Sequence, residues 1–244
     1  YTTSVRVGGD NQRIQALYIS ALVSEALGQT DAPFVAVFDC DHVPDARFLE
    51  ATLPHFTDER VAFVQTPQDY SDSKGDVFSE STYHGYKYFF EVSMPSRNER
   101  NAIIFAGTMG LIRKSVLEEI GGWDEWCITE DAEASLRILK KGYQSLYINR
   151  AFGSGMMPIN FEGLKKQRFR WAYGAVQILK AHWKALIPFK NTGLTAGQKY
   201  HFVSGWLPWF AAAGFTPILS PHPFFSPWGL LSYDGWMYDR YRAI

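Results

Sequence analysis

The 244-residue chain is poor in cysteine, has no dominant charge and contains no long uninterrupted apolar run. Two cysteines, Cys40 and Cys127, are too few for a disulfide framework and lack metal-ligand spacing. We expect both to be small core residues in a protein from a reducing compartment. A net charge of −1 provides no global positive field, which argues against a nucleic-acid partner. The chain opens at Tyr1 without the pattern of a signal peptide, and we expect it to begin inside a domain.

The length and the aromatic content together predict two regions. The chain is long enough for one large α/β domain with an appendage. Aromatic residues make up 16% of it, and many lie after residue 169. The apolar stretch over residues 203–219 is short and is interrupted by Pro208, Gly214 and Pro217, which favours an interfacial or re-entrant segment over a bilayer crossing. We therefore predict an α/β domain over residues 1–187 and an amphipathic, aromatic, proline-rich membrane-interface segment over residues 188–244.

Strand and helix patterns alternate along the first region. The apolar spacing predicts helices over about 12–27, 45–56, 77–93, 114–120, 129–141 and 161–187, the last interrupted near Gly174. Short apolar runs predict strands over about 34–39, 61–65, 101–108 and 142–148. This alternation is typical of a Rossmann-like, mostly parallel sheet flanked by helices. The aromatic residues of the helix near 77–93 either pack on the sheet or face a groove, and packing is favoured.

Two carboxylates follow the apolar strand that begins at Phe34. Asp39 and Asp41 are alternate residues of an extended segment, so both can face one ligand at the carboxyl edge of the sheet. Two oxygen ligands with open coordination positions suit a Mg²⁺ or Mn²⁺ ion that also holds a diphosphate. The alternative is that a strand-end aspartate caps a helix that starts near Pro44.

Two turns further along the chain also combine polar residues with a structural signal. Gly107 and Thr108 end a predicted strand, where glycine either lets the backbone approach a ligand or forms a plain turn. Glu130 and Asp131 follow Thr129 in the first turn of a predicted helix. That pattern places a fixed carboxylate at the sheet edge, but ordinary helix-start chemistry also explains it.

The longest predicted helix carries an amide, a guanidinium and an indole on one face. Gln167, Arg170 and Trp171 stand at i, i+3 and i+4. Arginine suits bidentate contact with phosphate, and tryptophan suits stacking on a sugar ring. The alternative is a solvated basic face with Trp171 in the core.

In their order and spacing, these segments resemble the motifs of the membrane-bound processive family 2 glycosyltransferases, the group of bacterial cellulose synthases. The matching segments are Phe38-Asp39-Cys40-Asp41-His42 for the DxD motif, Val64-Gln65-Thr66-Pro67, Phe105-Ala106-Gly107-Thr108, Thr129-Glu130-Asp131 for the TED motif, and Gln167-Arg168-Phe169-Arg170-Trp171 for QxxRW. The resemblance covers about residues 31–200. It implies a GT-A type α/β domain that uses a UDP-sugar and Mg²⁺ or Mn²⁺.

The resemblance also implies a role for each matched residue. Asp131 would be the general base that takes the proton of the acceptor hydroxyl. Asp39 and Asp41 would hold the metal and the diphosphate, with Asp41 favoured as the direct ligand. The remaining residues would contact the nucleotide sugar or the acceptor: Gln167 and Arg170 on the nucleotide-sugar side, and Gly107, Thr108, Glu130 and Trp171 on the acceptor side.

These roles together imply an inverting glycosyltransferase that moves a sugar, with glucose favoured, from a UDP-sugar to a growing β-linked polysaccharide. Its partners would be the UDP-sugar, a glycan acceptor and the cytoplasmic face of the plasma membrane. The alternatives are a non-processive enzyme that transfers once to a lipid or short glycan, and a catalytically silent module of a synthase complex. The family's first strand would lie before Tyr1, and its Lys-Ala-Gly segment is not evident near Gln15, which leaves open how the nucleotide base is held.

Overall fold

The structure is a computed structural model that describes residues 28–214, with side chains through residue 207. The helix predicted over residues 12–27 and the segment 215–244 lie outside the described residues. The chain divides into two units, Tyr1–His201 and Phe202–Ile244, and the sheet belongs to the first. The boundary expected after residue 187 stays a prediction. Within residues 28–214, no helix combines the length and the apolarity that crossing a membrane would require.

The described elements alternate between strands and helices, as the sequence pattern predicts. The strands are β1 (Phe34–Val37), β2 (Val43–Pro44), β3 (Val61–Gln65), β4 (Gly110–Arg113), β5 (Gln144–Tyr147) and β6 (Gly153–Ser154). The helices are α1 (Phe48–Thr52) with a 3₁₀ turn (Leu53–Thr57), α2 (Val77–Tyr88) with a π turn (Phe89–Ser93), α3 (Met94–Asn98), α4 (Lys114–Glu119), α5 (Glu130–Lys140), α6 (Phe161–Leu186) and α7 (Ala196–Gly214).

Four strands form a mixed sheet in the order β1-β4-β3-β5. Strand β4 pairs antiparallel with both β1 and β3, whereas β3 pairs parallel with β5. Three of the four strands therefore run in one direction and β4 opposes them. The helix-flanked α/β sheet expected from the sequence is confirmed, with antiparallel pairings wherever β4 takes part. A smaller two-stranded sheet joins β2 and β6.

The core lies on both faces of this sheet. Leu111 and Ile112 are neighbours on β4 and enter two different buried clusters, because successive side chains of a strand point to opposite faces. The aromatic helix packs on one of these clusters through Tyr86 and Phe90, which confirms packing for these two rings. Cys127 is buried as expected. Cys40 is exposed, so its assignment to the core is wrong: it follows β1 in the turn between two aspartates that face solvent.

The strand predicted over residues 101–108 is wrong in position, because β4 begins only at Gly110. Two side chains satisfy the amides of the preceding segment. The Phe105 N–H donates to Ser135 Oγ over 2.7 Å, and the Ala106 N–H donates to Gln65 Oε1 over 2.9 Å. Buried backbone amides need a hydrogen-bond acceptor, which can belong to a strand or to a side chain. Here the two side chains take the place of a neighbouring strand. The partners lie on α5 and β3, far away in sequence, so local apolar spacing carries no signal of them.

Helix α6 runs without a break through Gly174, so the interruption predicted there is wrong. A Cβ at this position would lie 2.6 Å from Thr129 Cγ2, and only glycine leaves room for that side chain. Thr129 does occupy the N-cap position of α5, but its side chain makes no capping hydrogen bond. It packs against Gly174 instead, which brings the start of α5 close to the middle of α6.

Candidate active site

Asp39 and Asp41 lie in the turn that follows β1. The Asp39 N–H donates to Thr108 Oγ1 over 2.9 Å, and the Asp39 carbonyl accepts from the His42 N–H over 3.0 Å. Both aspartates are exposed, whereas Thr108 is fully buried. The Thr108 hydroxyl, expected on the acceptor side, is therefore used in this structure to hold the backbone that carries the two carboxylates.

His42 completes a group of three possible metal ligands with these aspartates. One ligand atom from each residue lies within 4.8 Å of the others. The Nδ1 atom of His42 is 3.1 Å from Asp41 Oδ1, and its buried Nε2 has no hydrogen-bond partner among the described residues. The carboxylate pair fits Mg²⁺ or Mn²⁺, and the imidazole adds a third donor. Sequence reasoning identified the aspartates but not this histidine, although it stands next to the DxD motif.

A single buried glutamine organises the turn at Gly107 and Thr108. The Gln65 Nε2 donates to the carbonyls of Thr108 and Met109 over 2.8 and 3.2 Å, while its Oε1 accepts from the Ala106 N–H. Gln65 ends β3, so the turn is tied to the centre of the sheet. The sequence signal for this role is Gln65 at the end of an apolar strand, followed by Pro67.

Asp131 occupies the first turn of α5 and points at this turn. Its Oδ1 accepts from the Ala132 N–H over 2.7 Å. A Cβ built on Gly107, whose φ is +76°, would lie 2.8 Å from Asp131 Oδ2. Because glycine has no side chain, position 107 leaves room for the Asp131 carboxylate. The Ser135 hydroxyl donates to the Asp131 carbonyl over 2.8 Å and accepts from the Phe105 amide, so it joins α5 to the segment that leads into the turn.

The electrostatics of the site raise the pKa of three of its carboxylates, those of Asp39, Glu130 and Asp131. Desolvation by burial raises the pKa of Asp131, with the charge of Asp39 adding to the rise, while the Ala132 N–H and Arg170 oppose it. Burial also raises the pKa of Glu130, and the neighbouring Asp131 charge raises it further. Desolvation by the surrounding protein also raises the pKa of Asp39, although its side chain is exposed, and the neighbouring Asp41 charge adds to the rise while His42 and Arg170 oppose it.

Arg170 is the positive charge shared by these carboxylates. It lowers the pKa of Asp39, Glu130 and Asp131 alike, which places its guanidinium within electrostatic reach of all three. The structure therefore brings together residues from the turn after β1, from α5 and from α6. A cation in this position suits the negative charge of a diphosphate.

Gln167 and Trp171 of α6 contact Tyr86 of α2. The Tyr86 hydroxyl donates to Gln167 Oε1, and its ring lies edge-on to Trp171 at 6.2 Å between centroids. Arg168, which the sequence reasoning did not select, lies over both rings, at 4.6 Å from the Trp171 centroid and 4.9 Å from that of Tyr86. Its signal in the sequence is the i, i+3 spacing from Trp171.

A model of the glycosyl transferase family group 2 matches residues 34–233, a span that includes Asp39, Asp41, α5 and α6. The chain belongs to glycosyl transferase family group 2. The resemblance identified from the motifs is thereby confirmed.

Relatives of this family domain include bacterial cellulose synthases. The chain is 29% identical over 198 residues to the cellulose synthase catalytic subunit (UDP-forming) of Xanthomonas axonopodis pv. citri, with 77% of this chain and 26% of the relative covered. It is 31% identical over 194 residues to the corresponding subunit of Pseudomonas fluorescens, with the same coverage. It is 30% identical over 186 residues to cellulose synthase 1 of Komagataeibacter xylinus, covering 73% of the chain and 12% of that protein. The chain thus spans about a quarter or less of these relatives.

The fold is also similar to that of a transferase of known structure. The mannosyltransferase PcManGT from Pyrobaculum calidifontis, in complex with GDP-Man and Mn²⁺, superposes with a TM-score of 0.53 at 15% identity, covering 86% of this chain and 62% of that one. At this identity the similarity shows the fold alone. It agrees with the GT-A type α/β domain expected from the sequence.

Proposed function

We propose that the chain is the catalytic domain of an inverting glycosyltransferase that moves glucose from UDP-glucose to the end of a growing β-linked polysaccharide. The observation that carries this proposal is the position of Asp131, which points at Gly107 and lies within electrostatic reach of Asp39 and Arg170. A basic carboxylate, a cation and a carboxylate pair thus meet at one edge of the sheet. The names of the relatives, cellulose synthase catalytic subunits that form UDP, support UDP as the leaving group.

Asp131 acts as the general base in this reaction. The acceptor hydroxyl attacks the anomeric carbon, the bond from that carbon to the β-phosphate oxygen breaks, and the hydroxyl proton passes to Asp131. Inversion requires the base and the leaving group on opposite faces of the sugar, so Asp131 would face the side of the sugar opposite the diphosphate held at the Asp39 turn. Burial that raises the pKa of Asp131 also makes it a stronger proton acceptor. Arg170 balances the negative charge that builds up on the departing diphosphate.

Asp39 and Asp41 would hold Mg²⁺ or Mn²⁺ in this domain, with His42 as a third donor. When bound, the cation supplies positive charge to the diphosphate. The acceptor would contact Trp171, Glu130 and the Gly107 backbone, while Gln167 lies beside them on the nucleotide-sugar side. Thr108 would contribute by holding the Asp39 backbone.

We place the enzyme at the cytoplasmic face of the plasma membrane, as expected from the sequence. Helix α6 carries exposed aromatic rings, among them Phe169, Tyr173 and Trp183, together with exposed lysines such as Lys166 and Lys180. Aromatic and lysine side chains on one surface suit the headgroup region of an anionic membrane. Binding of the chain to vesicles with and without anionic lipid tests this placement, and equal recovery with both would contradict it.

Release of UDP from UDP-glucose in the presence of Mn²⁺ tests the catalytic proposal, with Asp131→Asn as the matched variant. Asparagine keeps an acceptor for the Ala132 N–H but takes no proton, so we expect turnover to fall by about 10²- to 10⁴-fold while UDP still binds. Retained turnover in this variant would remove Asp131 from the base role. No release by the parent, with metal-dependent UDP binding intact, would indicate a silent module. Product length separates a polymerising enzyme from one that transfers once.

A further inference from the structure

Gln177 ties the middle of α6 to the backbone that leads into α5. Its Oε1 accepts from the Ile128 N–H over 3.0 Å, and its Nε2 donates to the Trp126 carbonyl over 2.9 Å. The side-chain amide therefore pairs with the main chain as a neighbouring strand would. Both bonds are made within five residues of Asp131. They determine where the segment before α5 sits along α6.

Two further contacts join the same pair of elements on either side of this one. Thr129 packs into the space at Gly174. Further along α6, His182 Nε2 lies 2.7 Å from the fully buried carboxylate of Glu133, which also accepts from Arg137 Nε over 2.7 Å. Helix α6 thus contacts the start of α5 at three levels, and the Gln177 amide is the middle one.

These contacts matter because the two helices carry different parts of the candidate active site. Arg170 lies on α6 and Asp131 on α5, and the charge of Arg170 lowers the pKa of Asp131. The Thr129 contact is steric and the Glu133 contact is made further along α5. Only the Gln177 amide, among the three, bonds the main chain ahead of Asp131. A change in that main chain moves the carboxylate directly.

We propose that Gln177 is a positioning residue that sets the place of the Asp131 carboxylate relative to Arg170 and the bound donor. Among the described residues, the hydrogen bonds of the Gln177 amide go to the backbone at Trp126 and Ile128 and not to the three carboxylates. The proposal rests on the function proposed above for Asp131. It adds to the catalytic machinery a residue outside the motifs found in the sequence.

Gln177→Met tests this role, because methionine keeps the length of the side chain and removes both hydrogen bonds. Gln198→Met is the matched control. The amide of Gln198 also makes two backbone bonds, accepting from the Thr195 N–H over 2.9 Å and donating to the Asn101 carbonyl over 2.8 Å, and bonds none of the site carboxylates. A misplacement of about 1 Å lowers rates by about 10²-fold. We expect kcat for UDP release to fall by about 10- to 100-fold in Gln177→Met and to stay within about twofold in the control.

Four measurements separate positioning from a general loss of structure. The KM for UDP-glucose and the affinity for UDP with Mn²⁺ should stay within about twofold in Gln177→Met, because Gln177 makes no hydrogen bond to the described turn that carries Asp39 and Asp41. The acid limb of its pH–rate profile should move to lower pH, since a less firmly held Asp131 is better hydrated. Urea unfolding should show similar losses in both variants.

Equal kcat values in Gln177→Met and Gln198→Met would overturn the proposal, and so would a parallel loss of kcat and UDP affinity. If Gln177→Met does not fold, Gln177→Glu keeps the acceptor for Ile128 and provides the same comparison with a smaller fall. Failure of the proposed function is a different result: the parent chain would show no turnover, or turnover independent of Asp131.

Discussion

Replacing Gly107 by alanine tests whether Asp131 acts where the structure places it. The φ of +76° costs an alanine about 1 to 2 kcal/mol of stability. The new Cβ would lie 2.8 Å from Asp131 Oδ2, whereas ordinary contact begins at 3.4 Å, so the carboxylate must move by about 0.6 Å, the difference of the two. Since a shift of about 1 Å costs about 10²-fold in rate, we expect kcat to fall by about 10-fold or more.

Gly121→Ala is the control for backbone strain. Its φ of +85° imposes a similar strain, but apart from the two adjoining residues no atom of the described part of the chain lies within 4 Å of the new Cβ. Both variants should lose about 1 to 2 kcal/mol in urea unfolding. Only Gly107→Ala should lose turnover, measured as UDP release at saturating UDP-glucose and Mn²⁺. Equal rates in the two variants would refute the placement of the base against Gly107.

Three other measurements follow from the same site. Burial raises the pKa of Asp131 above its ordinary 3.8, so the base becomes protonated and kcat is lost as pH falls through that raised value. An acid limb of the pH–rate profile at or below 3.8 would contradict this. Because Arg170 lowers the pKa of Asp131, Arg170→Met should move the acid limb to higher pH. Asp41→Ala should abolish the Mn²⁺ dependence of UDP binding in calorimetry, and unchanged titrations with and without metal would count against its role as a ligand. Glu133→Leu leaves the partners Arg137 and His182 without their buried carboxylate and should cost about 3 to 5 kcal/mol in urea unfolding, whereas a loss below about 1 kcal/mol would show that water replaces it.

Short-range patterns predicted most of the elements that carry the site. The strand ending before Asp39, the start of α5 and the face of α6 all follow from alternation or helical spacing within a few residues. The same patterns placed β4 too early and broke α6 at Gly174. In both cases a side chain remote in sequence determined the local structure: Gln65 and Ser135 for the segment before β4, and Thr129 for the glycine.

Residues that support the site were harder to identify. His42 is adjacent to the DxD motif and Arg168 stands between Gln167 and Trp171, so each had a weak local signal. Gln177 had none, because a glutamine on a helix becomes informative only when its partners, Trp126 and Ile128, are known to lie opposite. The contacts that hold a site together join distant parts of the chain, and a single sequence does not record such distances.

The sequence by itself determined which groups the domain has available: the paired aspartates after an apolar strand, a carboxylate in the first turn of α5, and an arginine on the face of α6. These depend on the local periodicity of strands and helices, which apolar spacing reveals directly. Only the tertiary structure decided that Asp131 faces Gly107, that Arg170 acts on three carboxylates at once, and that desolvation raises the pKa of those carboxylates. Desolvation and Coulomb interactions depend on the distances between groups in space, and the packing of β1, α5 and α6 sets those distances.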